Sequence, residues 1–120
     1  MIHREQDIIQ WGIDRNLIGP TGEGTRIGQQ KKTEEEVIEL HDAIRDWTHG
    51  GYTSDDKRPE VCDAIGDIIV TLVLQAQLWN LTLTECIEQA WSQIKDRKGR
   101  MVNGIFVKET PSCPTSSSTT

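Results

Sequence analysis

Apolar side chains recur along this chain at helical spacing, and the breaks between the recurrences divide it into elements. Residues 4–17 (REQDIIQWGIDRNL) bring Ile8, Ile9 and Ile13 onto one side, and Gly19-Pro20 ends the pattern, which predicts a first helix. The stretch 19–28 (GPTGEGTRIG) is rich in turn residues and reads as a mobile link. From 29 to 47 the residues Val37, Leu40, Ile44 and Trp47 step by three or four, so a long second helix is expected with this stripe toward the core. A second major loop is expected over 48–59 (THGGYTSDDKRP), where a glycine pair is suited to ending a helix. A third helix over 60–79 has Ile65, Ile68, Ile69, Val70, Leu72, Val73 and Leu74 around its whole circumference, the mark of burial on all sides. Its β-branched run could form a strand, but its length and the lack of alternating neighbours favour a helix. Thr82 and Glu85 fit a capping box that opens a fourth helix through Leu83, Ile87, Ala90, Trp91 and Ile94, with Gly99 as its end.

Composition narrows the class. The pattern predicts an all-α fold, a bundle of four to five helices in one domain over 1–109, followed by a disordered Ser/Thr/Pro tail over 110–120. No internal repeat is present. Hydrophobic residues make up 35% of the chain, and the apolar runs read as too short to cross a membrane. Met1 to Arg4 runs straight into charged residues with no secretory pattern, which argues for the cytoplasm. Thirteen Lys and Arg against 19 Asp and Glu give a formal charge of -6, which disfavours a nucleic-acid partner. Cys62, Cys86 and Cys113 are widely spaced without a CxxC pair and read as reduced thiols rather than a disulfide framework or zinc site.

The candidate chemistry lies in the acids. On the second helix Glu36 falls at the edge of the stripe that holds Leu40, with Glu39 beside it, although Thr33 and Glu36 also match a capping box. On the third, Asp63 and Asp67 stand one turn apart in line with Val70 and Leu74. A cap at the helix start would explain Asp63 better than Asp67. Two ionised groups so close in an apolar setting need a cation or hydrogen-bond donors to offset their repulsion, and hard oxygen ligands of this kind suit magnesium or manganese rather than zinc. Lys95, Arg97, Lys98 and Arg100, followed by Asn103 and Gly104, can complement a helix dipole or hold phosphate oxygens. GPTGEGTR lacks the Lys-Ser or Lys-Thr of a Walker loop, and no histidine follows a glutamate by three, as a di-iron bundle would require. The four tryptophans read as core or interface residues, with stacking of one on a base as the alternative.

These acids also carry a resemblance. KKTEEEVIEL (31–40) and, after the loop, DAIGD (63–67) resemble the EExxE and ExxD motifs of the all-α, MazG-like nucleoside triphosphate pyrophosphohydrolases. The segment IKDRKGRMVNGIFVKE (94–109) is similar in particular to short phage-encoded MazG-like proteins. The resemblance implies that Glu36, Glu39 and Asp67 ligate Mg²⁺ or Mn²⁺, and that Glu35 or a ligand orients water toward the α-phosphorus. It implies further that Lys95, Lys98 and Asn103 approach the phosphates or sugar, and that the chain assembles as a homodimer or homotetramer. The chain departs from the pattern where the family has an acid three residues before Asp67; Ala64 stands there, with Asp63, one position earlier, as the substitute. The expected activity is hydrolysis of a nucleoside or deoxynucleoside triphosphate to monophosphate and pyrophosphate. The alternative is a non-catalytic helical protein that binds nucleotide or a regulator through a weakened metal site.

Overall fold

The computed structural model describes residues 3–49 and 54–109, without the side chains of 46–49 and 54–55. The tail from Thr110, Cys113 and the Gly50-Gly51 pair lie outside the described residues. The chain is predominantly helical: α1 (Glu5–Asp14), α2 (Arg26–His49), α3 (Ser54–Leu78) and α4 (Leu83–Ile94) precede a two-stranded antiparallel hairpin, β1 (Gly99–Val102) and β2 (Ile105–Lys108). It divides into two compact units, Met1–Cys86 and Ile87–Thr120, each described by itself below.

In the first unit, α1 and α3 end in the same way. Asn16 and Asn80 adopt φ of 60° and 58°, and the amides of Leu17 and Leu81 donate back to the carbonyls of Gly12 and Ala76 at 3.0 and 2.9 Å. This left-handed asparagine cap satisfies carbonyls that a helix end would otherwise orphan. The expected mobile link carries backbone bonds of its own, from Glu23 to Asn16 (2.7 Å) and from Gly24 to Leu17 (2.9 Å). Just before it Ile18 is buried against the core. Thr25 then accepts the Gly28 amide at 2.9 Å, an N-cap that starts α2 three residues earlier than the apolar stripe indicates.

Most of the expected second loop is helix. α2 continues to His49 and α3 begins at Ser54, with Pro59 inside its second turn at the loss of one ladder bond. The core cluster of Ile9, Ile18, Val73, Leu74 and Leu83 gathers around the C-terminal half of α3. There α1 approaches so closely that a Cβ on Gly12 would stand 2.6 Å from Leu74 Cδ2. Burial around the helix is therefore met only from Val70 onward, and Ile65 and Ile69 before it are exposed. By length and composition alone, Asp56–Leu78 could also cross a membrane, contrary to the expectation that no run would reach that length; such a segment equally describes the core helix of a soluble protein.

The stripe on α2 is also displaced from its expected role. The positions turned inward are Gln29, Thr33, Glu36 and Ala43, with Leu40 half-buried, whereas Val37 and Ile44 are exposed. The seam toward α3 is polar. Thr33 Oγ1 lies 2.9 Å from Thr71 Oγ1 and 3.1 Å from the Gln29 carbonyl, Thr71 donates to the Ile68 carbonyl at 2.7 Å, and Gln29 Nε2 donates to the Thr71 carbonyl at 3.2 Å. Thr33 thus lies inside α2 and caps nothing. The opening of α4 is the capping box expected of Thr82 and Glu85, with both reciprocal bonds formed at 2.8 and 3.0 Å. The buried Glu5 of α1 adds a second acceptor for Leu83 N and Thr84 Oγ1 at 2.7 and 2.5 Å.

In the second unit the fourth helix stops at Ile94 rather than Gly99, and the remainder forms the hairpin. Gly99 pairs with Lys108, Arg100 with Val107, Met101 with Phe106 and Val102 with Ile105. Asn103 and Gly104 have successive positive φ of 50° and 82°, the requirement of a two-residue primed turn.

Candidate functional site

α2 and α3 run antiparallel: Gln75 of α3 donates to Arg26 near the start of α2, while Ala43 late in α2 shares a cleft with Ala64 early in α3. That cleft, of about 400 Å³, is lined by Glu39, Asp42 and Ala43 from α2 and by Lys57, Glu60, Asp63, Ala64 and Asp67 from α3. Small residues make the room, since Ala43 and Ala64 are both buried at its floor. Steps of three and four residues along each helix then raise the carboxylates into the opening.

The sequence-derived candidates divide. Glu39, Asp63 and Asp67 line the one cleft, and all three are exposed, in an open hollow rather than the dry interior expected of a buried α3. Glu36 is buried on the seam, 6% exposed, and its carboxylate takes a salt bridge from Lys32 at 3.2 Å. Glu35 is on the exposed side of α2, 3.5 Å from the same ammonium, and is not among the cleft residues. The hydrogen bond and charge of Glu36, reinforced by Glu35, raise the pKa of Lys32 above its ordinary 10.5. Lys95, Lys98 and Asn103 belong to the second unit, the lysines exposed just beyond α4 and Asn103 at the hairpin turn.

Two acids that sequence reasoning passed over also line the cleft, Asp42 and Glu60. Glu60 alters the reading of the second motif. It stands three residues before Asp63, so the spacing of ExxD is present as Glu60-Val61-Cys62-Asp63, one turn earlier than the frame that met Ala64. The signal is legible in the spacing, at the first residue of the helix expected over 60–79. Comparison with protein-family models, curated proteins and solved structures finds no match to this chain.

Among the described residues, the cleft's five carboxylates and one ammonium are a donor set whose hard oxygens suit Mg²⁺ or Mn²⁺. Among the described residues no three acids, histidines or cysteines already converge as a ligand set. Cys62 and Cys86 are free thiols.

Proposed function

We propose that the chain is a MazG-like, Mg²⁺-dependent pyrophosphohydrolase of the four-to-five-helix type, acting in the cytoplasm on nucleoside or deoxynucleoside triphosphates and releasing monophosphate and pyrophosphate. The observation that carries this reading is the cleft shared by Glu39 of the first resembling motif and Asp63 and Asp67 of the second, with Asp42 and Glu60 beside them. Glu39, Glu60, Asp63 and Asp67 would hold the metal. When bound, it supplies charge neutralisation for the phosphates and a lowered pKa for water. The chain's own residues supply orientation: Glu36, fixed on the seam by Lys32, stiffens the same α2 surface that presents Glu39. Glu35 or a cleft carboxylate would direct the water toward the α-phosphorus. Lys95, Lys98 and Asn103 are the candidates for phosphate and sugar contacts, through charge and hydrogen bonding. The exposed apolar residues Val37, Ile38, Ile44, Ile65 and Ile69 of α2 and α3 support a homodimer or homotetramer.

Phosphorus NMR on purified protein with each common nucleoside and deoxynucleoside triphosphate tests the reading. Monophosphate and pyrophosphate should appear with Mg²⁺, stop on chelation, and fall sharply for Asp67→Asn. No cleavage of any of these nucleotides would remove the enzyme; calorimetric uptake of nucleotide without turnover would leave a binding protein.

A further inference from the structure

Among the described residues that line the acid cleft, Lys57 is the one cation, and no sequence motif singled it out. Its side chain is 18% exposed, and its Nζ lies 3.7 Å from Glu60 Oε2. It enters from the first turn of α3 on the side opposite Glu39 and Asp42, so its ammonium shares the cleft with both helices' acids. An ammonium held among carboxylates offsets their repulsion, and it occupies part of the field that a divalent ion would use.

We propose that Lys57 is the resident counter-cation of this cleft: it competes with the divalent ion for the carboxylates, and once displaced it becomes a ligand for a phosphate oxygen of the nucleotide. The proposal rests on the reading of the cleft as a metal-triphosphate site and assigns a residue within it. The chemistry of both roles belongs to the same group. A flexible four-carbon stem carries three donors that can turn from a carboxylate to a phosphate without change of protonation. The exchange keeps the charge of the cleft nearly constant, so an acid-rich hollow remains tolerable before the ion arrives and a phosphate-rich one after.

The test replaces the charge and keeps the stem, Lys57→Met, with Lys57→Arg as the conservative control. Mn²⁺ titrated without nucleotide and followed by electron paramagnetic resonance should bind Lys57→Met about tenfold more tightly than wild type, the scale of removing one nearby like charge at a partly exposed site. A non-hydrolysable triphosphate added with Mn²⁺ should bind the same variant about tenfold more weakly, the scale of one charged hydrogen bond. Lys57→Arg should restore both. Circular dichroism establishes that the variants fold. Unchanged or weaker Mn²⁺ binding by Lys57→Met overturns the role of Lys57 while a cleaving wild type keeps the site; a wild type that neither binds Mn²⁺ nor cleaves triphosphate overturns both.

Discussion

Among single residues, Glu60 and the Thr33–Thr71 pair make the sharpest claims. If the second motif is framed on Glu60 and Asp63, Glu60→Gln should weaken Mn²⁺ binding as much as Glu39→Gln does, roughly ten- to hundredfold if each removes one charged donor interaction. An effect confined to Asp67 would restore the frame with Ala64. Calorimetry of the three variants decides it. On the seam, Thr71→Val leaves buried partners without their hydroxyl and should cost about 1–3 kcal/mol, whereas Thr33→Val with Thr71→Val should cost less than the sum, because both partners of one bond leave together. Urea unfolding of the single and double variants measures the difference. Lys32 gives a pH signature. Its folded pKa is raised above 10.5, so the ion pair with Glu36 contributes fully below that value and fades as pH rises through the folded pKa. Denaturation midpoints of wild type and Lys32→Met should keep a constant gap from about pH 6 to about pH 9 and converge in stronger alkali.

At the scale of elements, the helices were legible where apolar spacing was long, and their ends were legible only where the local chemistry was read first. Thr82 and Glu85 gave the start of α4 because a reciprocal cap depends on neighbouring residues alone. The ends of α1 and α3 lie in the Asn-Leu steps at 16–17 and 80–81, where asparagine takes a left-handed conformation, and reading Gly19-Pro20 as the terminator overshot the first of them. Asn80→Gly should therefore leave stability nearly unchanged, whereas Asn80→Val should lower it by about 1–2 kcal/mol in thermal unfolding. The hairpin was missed for a similar reason. MVNGIFV carries Asn-Gly between short apolar runs, the strongest local sign of a two-residue turn, but Asn103 was weighed only as a ligand. Asn103→Gly separates the two roles: cross-strand NMR contacts between Met101 and Phe106 should persist, and a drop in triphosphate affinity would then belong to the lost amide.

For the whole molecule, the difference between expectation and structure concerns which face is covered by what. Periodicity finds an apolar stripe, but it cannot say whether the cover comes from the same chain. On α2 the inward positions went to Gln29, Thr33, Glu36 and Ala43, and Val37 and Ile44 were left outside. If α2 and α3 bury these residues against a second copy, sedimentation should give a dimer or tetramer, and Ile65→Asp should shift it toward monomer. A monomeric wild type would remove the assembly.

The hydroxyl and amide bonds between α2 and α3 have one more consequence. Greasy helices can slide by a turn and still bury the same area, but Thr33 meets Thr71 at a single axial setting, and Gln29 reaches the carbonyl of that same residue. These bonds act as an indexing pin. Six residues beyond Thr33 along α2 comes Glu39, and four and eight residues before Thr71 along α3 come Asp67 and Asp63. Slip by one turn would carry the two sets of acids past each other, so the polar seam is what keeps their alignment.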